Sequence, residues 1–475
     1  MNELSDNIKS YLINTFGEDF ERRYSAFVQE DHSLYIRFDP NKIKKESLTD
    51  ILSGYEIETE PVKELDSALK IKTNADKAGK TIEYGMGKYY IQSLSSMMPP
   101  LVLDPSEQDK VLDIAAAPGS KSSQISEIMG NRGTLVANEP HLDRIKMLVH
   151  NLDKLNMLNM GVMQRKGEYV DQIYQNYFDK ILVDAPCSAI GVLQKKGEVS
   201  NWWSEDRMLN ITQTQSKIIS SAVRALKTGG ELVYSTCSLT IEENEIIIDR
   251  VLKKYPVEMV DFDLPVKFME ALTEYQGDKL NSSLKYAKRI LPWEIDSEGF
   301  FIVKLRKTGD IYKDYFTLPE KENLYRFVDS EHKTVRDTIK RISEMFSINE
   351  DVFENYKYIV KKEDIFFVNS GWDDDNLSYF TRIGTHFCTT DPKGRIRLHT
   401  HAAQVLGKYA NNAVFEADMN QARIFLNGGI IKAPEIRTPQ IIKYKGLYLG
   451  TALPSESGLK SQYPKSRRMS EITYL

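Results

Sequence analysis

Between about residues 109 and 306 the chain alternates short apolar runs with helix-period segments, and this alternation restricts its fold more than any other feature. The apolar runs fall at 111–114, 134–137, 161–163, 181–184 and 232–235. Helical segments lie between them, including 141–155 and 205–226, the second expected to close at Gly229-Gly230. A short strand can be apolar along its whole length only if both faces are covered. The pattern therefore predicts an α/β, Rossmann-like parallel sheet with helices on both sides. A late run at 300–305 is expected to supply an edge strand.

Outside this region the texture differs. Residues 1–79 read as a small mixed α+β domain, with helical periodicity around 8–12 and a strand-like stretch at 34–38. We expect a central domain over 80–307, a helical or mixed linker domain over 308–395 and a last domain over 396–475. From 421 onward nine Lys and Arg face three acids, a local charge of +6 on a chain whose net charge is −5. The overall charge argues against a basic coat, so any polyanion site is a local patch. The basic C-terminal stretch is either that phosphate-facing patch or a solvated terminus.

No apolar run approaches the roughly 18 residues that span a bilayer. The start, Met1-Asn2-Glu3-Leu4-Ser5-Asp6, lacks a secretion-signal pattern. Three cysteines, an odd and sparse set, do not make a disulfide framework. A cytoplasmic, membrane-free protein is expected.

The segment Asp113-Ile114-Ala115-Ala116-Ala117-Pro118-Gly119-Ser120-Lys121 follows the first strand of the alternating region and opens a helix. Its small residues let the backbone approach a ligand, and a helix N-terminus favours a carboxylate. The second strand ends Ala137-Asn138-Glu139, an acid placed for a ribose diol. A nicotinamide enzyme is the rival, but it would carry G-x-G-x-x-G, and this loop has one glycine. The loop suits an adenosine-containing cofactor.

Two cysteines follow two strand ends, in Asp184-Ala185-Pro186-Cys187-Ser188 and Ser235-Thr236-Cys237-Ser238. Chemistry in a doubly wound sheet gathers outside the carboxyl ends of its strands. If the fourth and fifth strands are neighbours, Asp184, Cys187 and Cys237 converge beside the cofactor loop. Buried free thiols are often just small apolar groups, and Cys388 is read that way. No further Cys or His stands at zinc-ligand spacing here, so no metal is expected. Trp202-Trp203 are assigned to packing in preference to base stacking.

These blocks resemble the signature motifs of the NOL/NOP/Sun family of RNA cytosine-5 methyltransferases. Tyr90-Ile91-Gln92-Ser93-Leu94-Ser95-Ser96-Met97 matches the family's lead-in block, and Arg289-Ile290-Leu291-Pro292 with Gly299-Phe300-Phe301 its closing block. The resemblance covers about 34–307, with its blocks in the family's order. It implies S-adenosyl-L-methionine as cofactor, held by Ala115, Ala116, Ala117, Pro118, Gly119, Ser120 and Lys121, with Glu139 on the ribose. It further implies Cys237 as the nucleophile, Cys187 assisting product release, and Asp184 facing both cofactor and base. The members it most resembles act on 16S ribosomal RNA of the small subunit and end in a PUA-like RNA-binding module. The stretch from Gly446 to Arg468 resembles the end of that module. The implied partner is therefore RNA, in particular 16S rRNA or the small ribosomal subunit; transfer RNA is the alternative, and a non-catalytic assembly factor a second.

The sequence also departs from the family. Lys166 stands where an acid usually holds the adenine edge, and a lysine cannot accept a hydrogen bond. Glu168 or a backbone group is left to substitute. Pro186-Cys187 matches the Pro-Cys of DNA cytosine-5 methyltransferases, so exchanged cysteine roles are the main mechanistic rival.

Overall fold

Strands β5 (Lys110–Asp113), β6 (Thr134–Asn138), β7 (Met160–Met163), β8 (Phe178–Asp184) and β9 (Leu226–Thr236) form the parallel part of a ten-stranded sheet. Residues 3–63, 65–311, 323–391, 393–469 and 471–473 are described in the computed structural model. The spatial order is β7-β6-β5-β8-β9, so the order reverses at β5. Successive residues of each strand enter different cores. Val111, Leu135 and Val233 pack on one face and Leu112, Val136 and Leu232 on the other. That is why these strands are apolar throughout rather than alternating.

Two expectations need correction. Gly229-Gly230 does not cap the preceding helix, which ends at Ala225 with β9 starting at the next residue. The glycines lie inside β9, where its register with β8 shifts between Phe178 and Lys180. A Cβ on Gly230 would stand 2.8 Å from the Asp179 carbonyl oxygen, so the close strand approach asks for glycine. The late run is not an edge. Strands β10 (Val257–Val260), β11 (Met269–Glu270) and β12 (Lys288–Ile290) precede β13 (Phe300–Lys307), which pairs antiparallel with β9 on one side and with β12 and β10 on the other. β13 is accordingly buried along most of its length.

The opposite edge is closed from beyond residue 307. Strand β14 (Phe380–Ile383) pairs antiparallel with β7, so the 308–395 segment contributes to the central sheet. Gly161 makes room for it. A Cβ there would meet the Trp372 ring at 2.6 Å and the Phe380 ring at 2.7 Å.

At the N-terminus β1 (Leu34–Phe38), β2 (Thr59–Pro61), β3 (Ala68–Ile71) and β4 (Tyr89–Ile91) form a separate sheet of order β2-β3-β1-β4. Arg37 of β1 is buried and reaches across to the helix Ser120–Ile128. It donates to the Ser120 carbonyl at 2.9 Å, to Ser123 Oγ at 3.0 Å and to Glu127 Oε2 at 2.9 Å. The helices Asp6–Phe16 and Glu18–Gln29 pack elsewhere, burying Ile8, Leu12 and Tyr24 against Ile190, Leu193 and Trp203. Trp203 is buried with its ring edge-on to Tyr11, while Trp202 keeps some exposure.

Beyond β13 lie two five-stranded sheets, one centred on Asp364–Asn369 and one on Leu447–Ser455. Arg467, counted in the basic C-terminal stretch, faces inward with 6 % exposure. No helix among the described residues is long and apolar enough to cross a membrane.

A histidine row lies where these sheets meet the helix Leu142–Leu155, His401 Nε2 standing 3.7 Å from Asp153 Oδ2. The rings of His386 and His399 stack at 3.6 Å, and His401 accepts from Arg467 Nη1 at 3.1 Å. Burial pushes the imidazole of His399 down to about 3 and that of His401 to about 4, neighbouring cations adding to the effect. The unfolded chain binds protons on these groups below about 6.5, whereas the folded chain refuses them until about 4. Their contribution to stability is thus complete above about 6.5 and lost as pH falls toward 4. The thermal midpoint should drop across that window, and His401→Gln should flatten the drop.

Candidate active site

The cofactor loop leaves β5 at Asp113 and enters the helix Ser120–Ile128. Every turn of it is anchored. Ala116 N donates to the Asn138 carbonyl at 2.9 Å, Arg144 Nη2 to the Ala117 carbonyl at 2.7 Å, and Asn151 Nδ2 to the Pro118 carbonyl at 2.8 Å. Gly119 caps the helix at φ +104°, where a Cβ would also strike Leu148 Cδ1 at 2.9 Å. Ala115 and Ser120 are partly exposed, Ala116 and Ala117 buried, and Pro118 open to solvent.

Three buried acceptor oxygens around this loop lack a hydrogen-bond donor among the described residues: Asp113 Oδ1, Asn138 Oδ1 and Glu139 Oε2. Arg144 Nη1 lies 3.1 Å from Glu139 Oε2 but is not directed at it. Burial pushes the Asp113 carboxyl up to about 7, against the hydrogen bond it accepts from Ser122 at 2.6 Å. Orphaned acceptors at two strand ends, beside a helix N-terminus, match a ligand carrying an ammonium, hydroxyls and a carboxylate. S-Adenosyl-L-methionine has all three. Asp113 and Asn138 border the cofactor residues in the sequence but carry no assigned role there. The Lys166 side chain is exposed and Glu168 partly so; the backbone at Arg165 is held by Asn138 Nδ2 at 2.9 Å.

β8 and β9 are neighbours, with Asp184 opposite Ser235. The two cysteines beyond them meet, Cys187 Sγ and Cys237 Sγ standing 3.2 Å apart. That is far beyond the roughly 2.05 Å of a disulfide, and both are free thiols with partial exposure. The sulfur of Cys237, followed by burial, drives the Cys187 thiol well above its ordinary range. Cys388 is buried far along the chain, in the sheet centred on Asp364–Asn369.

Asp184 accepts on both oxygens, from Lys121 Nζ at 2.7 Å and from Ser235 Oγ at 2.8 Å. Burial opposes the charge on Lys121, but Asp184 outweighs it and holds the ammonium above its usual value. Lys121 Nζ also sits 5.1 Å from the centre of the Phe300 ring. The cofactor loop, the second carboxylate and β13 thus share one cluster.

The residue that holds the two thiol loops together is Glu243, which the sequence did not reveal. Its buried carboxylate accepts from Ser188 N at 2.7 Å, Ser188 Oγ at 2.5 Å, Ser238 Oγ at 2.6 Å, Thr240 Oγ1 at 2.8 Å and Gln215 Nε2 at 3.1 Å. Ser188 and Ser238 are the residues immediately after the two cysteines. Gly191 closes the arrangement: its N donates to the Cys237 carbonyl at 3.0 Å, and a Cβ there would lie 2.7 Å from that oxygen.

A Rossmann-like sheet whose order reverses beside an acceptor-lined loop, with two thiols at the same mouth, defines an S-adenosylmethionine-dependent methyltransferase. Residues 100–306 match the family described as 16S rRNA methyltransferase RsmB/F. A ribosomal RNA small subunit methyltransferase F of Shewanella piezotolerans is 30 % identical over 470 residues, 96 % of each chain. A tRNA (cytosine(49)-C(5))-methyltransferase of Pyrococcus abyssi is 38 % identical over 237 residues, 50 % of this chain and 76 % of that one. Among solved structures, a methyltransferase homolog protein from Pyrococcus horikoshii superposes with a TM-score of 0.56 at 30 % identity, covering 63 % of this chain and 93 % of that one. The chain belongs to the RsmB/F family, within the NOL/NOP/Sun group. It is an RNA (cytosine-5) methyltransferase, and its cofactor is S-adenosyl-L-methionine.

Proposed function

We propose that this enzyme methylates carbon 5 of a cytosine in 16S ribosomal RNA through a covalent bond between Cys237 and carbon 6. The observation that carries the reading is the 3.2 Å approach of the two thiols beside the cofactor loop. End-to-end likeness to a small-subunit enzyme supports the ribosomal target. The likeness to the Pyrococcus abyssi enzyme favours transfer RNA as the second reading, but it stops at half of this chain.

Carbon 5 of cytosine is a weak nucleophile. The Cys237 thiolate adds to carbon 6 and pushes electron density to carbon 5. When bound, S-adenosyl-L-methionine supplies the electrophilic methyl that carbon 5 takes up. Ala115 to Lys121 and Glu139 hold it, with Asp113 and Asn138 offering further acceptors. Lys121 positions Asp184, which faces the ring and shares a proton with ring nitrogen 3, so that the negative charge building on the ring is neutralised there.

Cys187 then acts in release. While Cys237 holds a free pair of electrons, it keeps the proton on Cys187. Once those electrons form the carbon–sulfur bond, that restraint is gone and Cys187 yields its proton to solvent. Its thiolate removes the carbon 5 proton, the ring regains its double bond and Cys237 departs. The likeness of the Ser235-Thr236-Cys237-Ser238 block to the family's nucleophile block favours this assignment over the exchanged roles. The base must be splayed from any helix, because stacking shields carbons 5 and 6.

We assign the N-terminal sheet to RNA positioning, the sheet centred on Leu447–Ser455 to a PUA-like RNA-binding module, and the whole enzyme to the cytoplasm, acting on rRNA or the small subunit. Bisulfite sequencing of total RNA from cells with the active enzyme and with Cys237→Ala tests the target. One 16S cytosine should lose its protection in the variant cells. Loss confined to transfer RNA would move the assignment to the second reading.

A further inference from the structure

Lys154, in the last turn of the helix Leu142–Leu155, is 4 % exposed. Its Nζ lies 3.8 Å from the centre of the Tyr84 ring and 5.0 Å from that of Tyr90. Among the described residues no carboxylate comes within ion-pair distance of it. Burial pushes its pKa down to about 7, and the charges of Arg467 and Arg37 add to the effect. Two aromatic faces offset part of the cost of such a buried ammonium, but an unpaired charge is seldom kept without a use.

Lys154 is among the residues lining a pocket of about 300 Å³ at the seam between the N-terminal segment, the catalytic unit and the C-terminal turn. Lys80, His150, Arg467, Arg468 and Glu471 share the lining. Glu471 is the one acid among these residues and pairs with Lys80 at 2.9 Å. Arg467 donates to neutral acceptors, the Gly85 carbonyl at 3.1 Å and His401 Nδ1 at 3.1 Å. The pocket thus gathers more cation than its own acid balances. It is linked to the catalytic mouth: Tyr90 carries Lys154 on its ring and also Arg37 at 5.4 Å, and Arg37 holds the first residue of the helix that follows the cofactor loop.

We propose that this pocket binds a backbone phosphate of the substrate RNA, with Lys154 and Arg468 as its cationic contacts. The inference rests on RNA being the substrate and adds a place where the strand is held away from the reacting base. A phosphate supplies the counter-charge that Lys154 lacks.

The test is RNA binding by the full-length enzyme carrying Lys154→Met or Arg468→Ser. Methionine fills the space between the tyrosines without charge, and Arg468 is exposed, so both variants should fold and bind cofactor as the wild type does. Each should weaken RNA binding roughly five- to tenfold near 0.15 M salt and make the slope of log affinity against log salt shallower by about 0.7. Unchanged affinity and slope in both would overturn the proposal. So would tight binding of inorganic phosphate that vanishes in Lys154→Met while RNA affinity holds, because the site would then serve a free anion. Adduct formation by Cys187→Ala at saturating RNA does not depend on this pocket, so its outcome judges the covalent mechanism separately.

Discussion

Replacing Cys237 with alanine is expected to lower methyl transfer by at least about 10³-fold and to leave no covalent RNA–protein complex, because the nucleophile is gone. Cys187→Ala should behave in the opposite way. Cys237 still adds to the base and the ring is still methylated, but the carbon 5 proton has no positioned acceptor. The enzyme should then stall as a complex that survives denaturing electrophoresis, with a single methylation event per protein and turnover reduced to a similar degree. The 3.2 Å separation makes the contrast sharp, since either sulfur can reach an atom held by the other. Denaturing gels and single-turnover kinetics with labelled cofactor measure both. A complex formed by Cys237→Ala and not by Cys187→Ala would exchange the two roles.

Glu243→Ala carries the second largest effect. The carboxylate accepts five hydrogen bonds, four from Ser188, Ser238 and Thr240 on the segments that present the two thiols and one from Gln215 of the helix Glu205–Ala225. Alanine would leave those donors buried and unpaired, at a cost on the order of 3–4 kcal/mol in stability of the catalytic unit. Catalysis should suffer more than folding. A displacement of about 1 Å between reacting groups is enough for a 10²-fold loss. The signature is a kcat decrease of about 10²-fold with cofactor affinity unchanged, since Glu243 makes no contact with the cofactor loop. Glu243→Gln preserves shape but offers a donor where an acceptor is needed, so it should fall between wild type and alanine. Thermal unfolding and kcat measured on all three proteins check this; a Glu243→Ala enzyme with full kcat would show that the two thiol loops hold themselves.

Much of this site is legible in the sequence because it is local. Asp184 ends a strand, Cys187 and Cys237 follow theirs by at most three residues, and the strands are apolar enough to identify. Once β8 and β9 pair in register, the thiols have little choice but to meet. Glu243 was hidden because an acid in Glu242-Glu243-Asn244-Glu245 looks like the solvated start of a helix. Only the fold turns one of these side chains inward, toward two loops 55 and 5 residues away. Arg467 misled for the same reason: charge counts weigh a residue without its direction, and this one points to His401 and Gly85. The strand Phe380–Ile383 was illegible as part of the catalytic sheet because its partner lies more than 200 residues earlier. Gly229-Gly230 misled as a helix stop, because the helix had already ended at Ala225 and the glycines serve a close strand approach inside β9.

In the proposed mechanism Cys237, and not Cys187, bonds to the base within a pocket both thiols share. An RNA substrate with 5-fluorocytosine at the target position gives the most direct measurement, because fluorine at carbon 5 cannot leave as a proton and the complex is held before release. Digestion of the trapped complex and mass spectrometry then locate the nucleotide on the protein. The account predicts the modified nucleotide on the peptide containing Cys237 alone. Attachment at Cys187, or no attachment by an enzyme that methylates the normal RNA, would contradict it.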